Sequence, residues 1–155
     1  MDTIIDGKLD FEQYTEEYLN KSMLWLNDPI LKKLTNTPDF NKDMQMQWFK
    51  SLPQKTDYFI RGIRLDGVPI GACGLKHISN IDAELWCYIG EASVRGKGIG
   101  RKIMDYLIDS GRKFKLMFIK ISVIPTNTIA RHLYESYGFK KIGEDKQYVY
   151  MLLKL

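Results

Sequence analysis

The sequence contains few of the residues that hold a fold together through covalent bonds or metal ions. Among its 155 residues there are two cysteines and two histidines. A disulfide framework would need more cysteines and a secretory context. With 45% hydrophobic and 27% charged residues, the chain can build an ordinary core, so neither a disulfide nor a metal is expected. Cys73 and Cys87 lie in apolar, strand-like runs, and we interpret them as buried thiols in a reducing compartment.

Long apolar runs, repeats and linkers are also missing from the sequence. No apolar run approaches the ~20 residues that span a bilayer. The segment Met1–Asp6 has neither the basic start nor the apolar core of a signal peptide. Nothing rich in proline, glycine or serine divides the chain, and no segment repeats. We therefore expect one domain over residues 1–155, located in the cytoplasm and without a membrane partner.

The charge balance is mild, with 23 basic and 19 acidic residues and a net charge of +4. The basic residues are densest between Arg95 and Lys120. Recognition motifs and interleaved exposed aromatics are lacking, so we do not expect a nucleic-acid partner. The local excess suits a site for a small polyanion. A solvated basic helix face explains several of these residues equally well.

The hydrophobic pattern alternates between helical and strand periods and predicts an α/β layer structure of order β-α-α-β-β-β-α-β-α-β-β. A hairpin around Asp66-Gly67 is the clearest single element. The residue before Pro29 avoids helical angles, so the first helix is expected to end there. The predicted strands are one within Thr3–Phe11, then Tyr58–Leu65, Val68–Ile78, Ala83–Ile89, Phe118–Val123, Lys140–Gly143 and Tyr148–Leu152, and the predicted helices are Thr15–Leu26, Asn41–Leu52, Gly98–Lys113 and Asn127–Tyr137.

A glycine-rich segment between a predicted strand and a predicted helix is the sharpest local signal. It runs Arg95-Gly96-Lys97-Gly98-Ile99-Gly100. Its glycines let the backbone approach a ligand closely. The helix start that follows offers free N–H groups and a positive dipole end, which together suit a phosphate or pyrophosphate. The segment has neither the ending of a Walker A loop nor the spacing of a dinucleotide fingerprint. A glycine-rich turn without a ligand remains the alternative.

A second signal follows about thirty residues later, where a strand, a loop and a short helix end at a glycine. Asn127 is a candidate N-cap and also a candidate ligand contact, and capping alone would explain it. Tyr134 is either a core aromatic or a site residue. Gly138 fits the C-terminal cap of the helix.

Together the two segments resemble the GNAT superfamily of N-acetyltransferases. Arg95, Gly98 and Gly100 match its Arg-x-x-Gly-x-Gly loop. Its next motif, Asn-x-x-Ala-x-x-Leu-Tyr-x-x-x-Gly-Phe, is matched at Asn127, Ala130, Leu133-Tyr134 and Gly138-Phe139. The order and separation of the motifs are also family-like. The resemblance implies a mixed, mostly antiparallel sheet flanked by helices, acetyl-CoA as cofactor, and a possible homodimer.

The resemblance also assigns roles to residues. Acetyl transfer would be direct, in a ternary complex with no acyl-enzyme. Tyr134 would protonate the departing thiolate, and Asn127 would contact the cofactor near the pantetheine. The pantetheine arm would pair with main-chain groups where two strands splay apart, and the pyrophosphate would be held by N–H groups of the loop. These two sets are Cys87, Tyr88, Ile89 and Gly90 for the pantetheine, and Arg95, Gly96, Lys97, Gly98, Ile99, Gly100 and Arg101 for the pyrophosphate.

Glu84 is the best candidate for the general base, because an amine arriving as ammonium must lose a proton before it attacks. Strand alternation puts Glu84, Trp86 and Tyr88 on one face. If that face lines the acceptor cleft, the two aromatics could hold a substrate ring. If it faces solvent, Glu84 is only a surface charge, and a water chain or His77 becomes the better candidate.

The acceptor is predicted only as a primary amine. The segments around Trp25 and Gln47-Trp48-Phe49 resemble the branch that contains ribosomal-protein alanine and amino-sugar nucleotide N-acetyltransferases. Trp25 could therefore bind substrate, although a core position explains it as well. We expect an amino-sugar nucleotide first, then a protein or peptide N-terminus, then a polyamine or aminoglycoside. A non-catalytic acyl-CoA-binding module is the alternative of a different class.

Overall fold

The computed structural model describes residues 7–155, which form a seven-stranded sheet with helices on both faces. The sheet order is β1-β2-β3-β4-β5-β7-β6. Every neighbouring pair is antiparallel except β4 and β5, which run parallel. The strands are β1 Leu9–Gln13, β2 Phe59–Leu65, β3 Val68–Lys76, β4 Asp82–Ile89, β5 Phe118–Val123, β6 Lys140–Glu144 and β7 Val149–Lys154, and the helices are α1 Glu16–Trp25, α2 Pro29–Thr35, α3 Lys42–Ser51, α4 Ile99–Lys113 and α5 Thr128–Ser136.

The predicted mixed, mostly antiparallel sheet is confirmed, but the predicted element order is wrong at one place. Two helices were predicted between β1 and β2, but the structure has three, because the additional helix α2 follows directly after α1. Asp28 caps it by accepting a hydrogen bond from the N–H of Ile30, and Pro29 occupies its first turn. Proline has no N–H to lose at that position and its fixed φ suits a helix start. The same proline that ends α1 therefore begins α2. The predicted residues of the first strand before Gly7 lie outside the described residues.

The main core lies between the sheet and α4. The predicted apolar stripe of α4 is buried at Ile99, Ile103, Met104, Leu107 and Ile108. It joins strand residues such as Leu75 and Leu85 in one cluster. A continuous core on this face fixes where α4 begins, and hence where the glycine-rich loop lies.

The opposite face of the sheet carries a smaller, aromatic cluster under α1 and α3. Tyr14, Tyr18, Leu19 and Ala72 are buried there. The Tyr18 ring covers Gly62, where an added Cβ would lie 2.3 Å from the ring. Since successive strand residues alternate between faces, Trp86 and Tyr88 of β4 belong to this side and Leu85 and Cys87 to the other.

None of the helices within residues 7–155 has the length and apolar character that crossing a membrane requires.

Candidate active site

A cleft opens in the sheet where β4 and β5 diverge. The parallel register pairs Asp82 with Phe118 and ends at Glu84 with Lys120. Beyond that point β4 continues its antiparallel register with β3 as far as Ile89, while β5 continues with β7. Beyond Glu84, this edge of β4 has no strand partner among residues 7–155. The cavity between the strands has a volume of ≈ 710 Å³, and its walls come from β4, β5, α2, α4 and α5.

The glycine-rich loop lies at one end of this cleft, where α4 begins. Gly96 and Gly98 have φ angles of 73° and 81°, a left-handed conformation that glycine adopts without steric cost. Gly98 is the N-cap of α4. In a helix the first N–H groups have no intrahelical acceptor, so those of Ile99 and Gly100 are available to an anion. The predicted order of strand, glycine-rich segment and helix is present, and the contact of these N–H groups with a pyrophosphate stays a prediction.

Arg95 does not offer the main-chain N–H group that was predicted to bind the pyrophosphate. Its N–H donates to the carbonyl of Ala92 at 3.3 Å. Its side chain turns back to β4, where Nε donates to the Ile89 carbonyl at 2.9 Å and Nη2 to the Gly90 carbonyl at 3.1 Å. The expected main-chain contact of Arg95 with a pyrophosphate is therefore not available in this conformation. The guanidinium instead holds the loop against the open end of β4.

Tyr134 of α5 reaches the divergent part of β4 from the core side. It is 8% exposed and its hydroxyl lies against the Cys87 thiol. Burial first, and then the neighbouring thiol, raise the pKa of Tyr134 well above its usual value. Burial likewise raises the pKa of Cys87 to about 11. Both groups are consequently neutral at physiological pH.

Asn127 caps α5, as its sequence position suggested. Its side-chain oxygen accepts a hydrogen bond from the N–H of Ala130 at 3.3 Å. Capping is thus part of its role, and Asn127 also lines the cleft. A contact between its amide group and the cofactor stays a prediction.

Glu84 lies at the floor of the cleft, at the last pair before the strands part. Its Oε1 accepts a hydrogen bond from Ser122 Oγ at 3.1 Å, and its Oε2 lies 3.3 Å from Nδ1 of His77. Its side chain is 25% exposed, against 73% for His77. The carboxylate of Glu84 on β4 thus contacts Ser122 of β5 and His77, the residue after β3. It lines the cleft.

The aromatic residues of β4 lie on the same wall as Glu84. Trp86 and Tyr88 line the cleft together with Trp48 and Tyr58. Their rings form a continuous series, with centroids 6.4 Å apart for Trp86–Tyr88 and 6.1 Å for Tyr58–Trp86. Strand alternation on β4 therefore places the acidic and aromatic residues together as predicted.

Trp25, which the sequence suggested as a substrate-binding residue, is not among the residues that line the cleft. It is 7% exposed, and its indole packs on Gly90, where an added Cβ would lie 2.1 Å away. Its Nε1 donates to Glu91 Oε1 at 3.0 Å. Trp25 does not line the cleft and instead ties the end of α1 to the segment after β4.

A family model for the acetyltransferase (GNAT) family matches residues 20–139, which is more than half of the chain. The chain belongs to the GNAT family of acetyltransferases. The match spans the glycine-rich loop, the diverging strands and the helix that carries Tyr134. Among curated protein sequences, none is significantly similar to the chain.

Solved structures with this fold include several N-acetyltransferases. The N-acetyltransferase PseH from Campylobacter jejuni, solved with acetyl coenzyme A, is 22% identical over 96% of this chain and 98% of its own, with a TM-score of 0.72. Spermidine N-acetyltransferase from Vibrio cholerae, solved with CoA and spermine, is 20% identical over 94% and 95%, with a TM-score of 0.82. A domain from Methanocaldococcus jannaschii is 21% identical over 97% and 100%, with a TM-score of 0.84.

The GNAT cofactor, acetyl-CoA, fits the residues present in this chain. Its pyrophosphate is an anion, which the N–H groups at the start of α4 suit. Its pantetheine arm carries amide groups, and main-chain groups of Cys87 and Tyr88 at the unpaired edge of β4 can pair with them. The predicted contact with Gly90 is not available in this conformation, because its carbonyl accepts from Arg95 and its N–H donates to the Ile70 carbonyl. The Ile89 carbonyl likewise already accepts from Arg95. Tyr134 lies beside that edge, at Cys87. The cavity volume of ≈ 710 Å³ is within the ~300–1,000 Å³ of small-molecule sites.

Sequence reasoning missed the part of the cleft wall that lies around α2. This part includes α2 and the segment after it, and Tyr148 lies opposite, hydrogen-bonded to Asn36 at 2.7 Å. These residues could not be found because α2 was not predicted. Ser122 was also missed, since one serine on a strand carries no sequence signal until its partner is known. The missed lining residues include Leu31, Leu34, Thr35, Thr37, Pro38, Lys76, Ser122 and Tyr148.

Proposed function

We propose that the protein transfers the acetyl group of acetyl-CoA to a primary amine by direct attack in a ternary complex. One observation carries this proposal. The cleft where β4 and β5 part has the glycine-rich loop and Tyr134 on its cofactor side and Glu84 with the β4 aromatics on the other. A single cavity therefore brings a site for an anion, a buried phenol and a carboxylate to one gap in the sheet.

Tyr134 is proposed as the acid. When bound, acetyl-CoA supplies an activated acetyl thioester whose sulfur leaves as a thiolate. The Tyr134 phenol is neutral and beside the open edge of β4, so it holds a proton at neutral pH. The burial that raises the pKa of Tyr134 would also raise that of a thiol formed beside it, so the departing thiolate would be a stronger proton acceptor there than in water.

Glu84 is proposed as the base, with His77 as the exit for the proton. A typical alkylamine, like the lysine side chain with a pKa of about 10.4, enters as ammonium. Glu84 is oriented by Ser122 and His77, and a carboxylate so placed can take a proton from the amine directly or through water. His77 is largely exposed, so it can pass that proton on to solvent.

Neither cysteine is proposed as a nucleophile. Covalent catalysis by cysteine needs the thiolate. Burial raises the pKa of Cys73 well above its usual value and that of Cys87 to about 11. Both thiols therefore stay protonated, which favours direct transfer over an acyl-enzyme route.

The charges that line the cleft bear on the acceptor. Among residues 7–155 they are Lys76, Glu84 and Arg95, and the Arg95 guanidinium already donates hydrogen bonds to the end of β4. One carboxylate gives little support to a polyamine or an aminoglycoside, because each extra ammonium would lack a partner. An amino-sugar nucleotide, our first expectation, would have Lys76 as the available cation for its phosphates. A singly charged amine needs only one carboxylate as its partner, and Glu84 supplies it.

A turnover experiment tests the proposal. Release of CoA from acetyl-CoA is followed with a panel that contains alkylamines, arylalkylamines, polyamines, amino-sugar nucleotides and short peptides. We expect amine-dependent CoA release with at least one class, together with an N-acetylated product by mass spectrometry. Binding of acetyl-CoA without turnover on any amine would favour a non-catalytic acyl-CoA-binding module instead.

A further inference from the structure

The closed end of the cleft is formed by aliphatic side chains. The parallel register of β4 and β5 ends at Glu84 with Lys120. Leu85 and Ile121 are the next residues on the two strands, so they are the first pair beyond the ladder. Both line the cleft, although their exposed fractions are only 1% and 3%. The cavity therefore continues between the strands to the point where they meet.

These two side chains lie on the core side of the sheet. Successive strand residues alternate between faces, so Leu85 and Ile121 point away from the face that carries Glu84 and Ser122. Ile103 of α4 packs with them in the main core and also lines the cleft. We call Leu85, Ile103 and Ile121 the aliphatic end wall. The cleft thus has a polar closed end on its acceptor face and an apolar one on its core face.

The aliphatic end wall lies in the direction in which the cofactor enters. The glycine-rich loop is at the open end of the cleft, and Tyr134 meets β4 further in, at Cys87. A pantetheine arm that enters from the loop would bring its sulfur to Tyr134, as proposed above. Leu85 is two residues beyond Cys87 along β4, a span of ~7 Å. The space between them is what remains for the acyl group.

The geometry of a reactive thioester directs the acyl chain toward this wall. A thioester is planar, and its acyl chain lies trans to the pantetheine carbon across the bond from sulfur to the carbonyl carbon. An amine attacks at a steep angle to this plane, with the reacting orbitals aligned. Because Glu84 would hold the amine on the acceptor face of the sheet, the plane would lie along the gap between β4 and β5. The acyl chain would then continue from the sulfur toward the closed end.

We propose that the aliphatic end wall sets the length of the acyl group, so that the protein accepts acetyl and excludes longer chains. This inference rests on the proposed acetyltransferase function and assigns the residues that select its donor. The Leu85 side chain occupies part of the ~7 Å span, and the rest holds the two carbons of an acetyl group. A longer chain would have to push buried side chains apart, which a close-packed core resists.

Two buried leucines separate the end wall from the rest of the core. Leu85→Ala removes three carbons from the end wall. Leu107→Ala makes the same change in α4, where Leu107 is fully buried in the same cluster but is not among the residues that line the cleft. It is therefore the matched control. Ile121→Val removes a single methyl group from the end wall and decides the question if Leu85→Ala does not fold.

The first readout is kcat/KM for acetyl-, propionyl- and butyryl-CoA with one amine. A methylene in an apolar pocket changes kcat/KM by about 10–200-fold, so wild type should prefer acetyl-CoA to propionyl-CoA at least tenfold. Leu85→Ala should lower the preference for acetyl-CoA over butyryl-CoA at least tenfold, Ile121→Val should lower that over propionyl-CoA, and Leu107→Ala should keep both. Each ratio compares donors in one preparation, so a loss of folded protein cancels. Wild-type ratios in Leu85→Ala would overturn the inference.

A binding measurement makes the inference independent of turnover. In calorimetric titrations without an amine, wild type and Leu107→Ala should bind acetyl-CoA at least tenfold more tightly than butyryl-CoA, and Leu85→Ala should bind the two about equally. If this pattern is found while no amine is acetylated, the end wall stands and the proposed function fails. If an amine is acetylated while wild type uses acetyl-CoA and butyryl-CoA equally well, the function stands and the inference is wrong.

Discussion

At the scale of single residues, the chemistry depends on what surrounds each ionisable group. Tyr134 and Glu84 are both near the gap between β4 and β5, yet their environments differ. Tyr134 is buried against a thiol, which keeps the phenol protonated. Glu84 is partly exposed and holds hydrogen bonds from two neighbours. One is thus suited to give a proton and the other to take one, which is how acid and base roles are usually divided.

The role of Tyr134 is tested by Tyr134→Phe, which removes the hydroxyl and keeps the ring. General acid–base groups contribute about 10²–10⁴-fold to rate. We expect kcat to fall within that range while acetyl-CoA affinity changes little, measured by steady-state kinetics and calorimetric titration. Wild-type kcat in this variant would contradict the assignment.

The role of Glu84 is tested by the pH profile of Glu84→Gln. The variant should lose most activity at neutral pH, where the amine is an ammonium. It should recover as pH rises toward the amine pKa of about 10, because a neutral amine needs no base. His77→Gln, which removes only the proposed exit for the proton, should show a smaller loss of the same shape. A uniform loss at every pH would favour a role for Glu84 in holding β4 and β5 together.

At the scale of elements, the position of α1 depends on its contact with the segment after β4. The Trp25 indole covers Gly90, so a methyl group there would lie 2.1 Å from the ring. Gly90→Ala should therefore displace Trp25, weaken its hydrogen bond to Glu91 and cost about 1–3 kcal/mol, as overpacking does. Urea unfolding measures this loss. Gly143→Ala, where nothing lies within 4 Å of the added methyl, is the control and should change stability little.

The same contacts show why the sequence predicted some elements and not others. The stripe of α4 and the Asp66-Gly67 hairpin depend on local pattern, and both are found. α2 was missed because Pro29 is a stop signal for one helix and a start position for the next, and the pattern alone does not say which. The bonds of Arg95 to the end of β4 and the burial of Trp25 depend on residues brought together only by the fold. The glycine-rich loop and Tyr134 could be found because their motifs are local; the cleft wall around α2 could not.

At the scale of the whole molecule, buried tyrosines link stability to alkaline pH. Burial raises the pKa of Tyr14, Tyr58, Tyr88 and Tyr134, whereas an unfolded tyrosine ionises at about pH 10. The folded state thus retains protons that the unfolded chain loses. The stability that these groups contribute is complete below pH ~10 and is lost as pH rises beyond it.

We expect the free energy of unfolding, measured in urea, to be level between pH 8 and ~9.5 with respect to these groups and to fall above pH ~10. Tyr14→Phe removes one titrating phenol, so its slope above pH 10 should be smaller by up to ~1.4 kcal/mol per pH unit. Absorbance of tyrosinate in the folded protein provides the check. Ionisation of all nine tyrosines near pH 10 without unfolding would contradict the account.

The central claim concerns the whole cleft: acetyl-CoA is held by the glycine-rich loop at the start of α4. The most direct measurement is calorimetric titration of acetyl-CoA into wild type, Gly98→Val and Gly67→Val. The two glycines have φ angles of 81° and 84°, so valine introduces comparable backbone strain at both. Only Gly98 is in the loop, since Gly67 is in the β2–β3 turn. We predict that Gly67→Val binds as wild type does and that Gly98→Val, still folded, loses affinity by at least tenfold; equal affinity in all three would contradict the account.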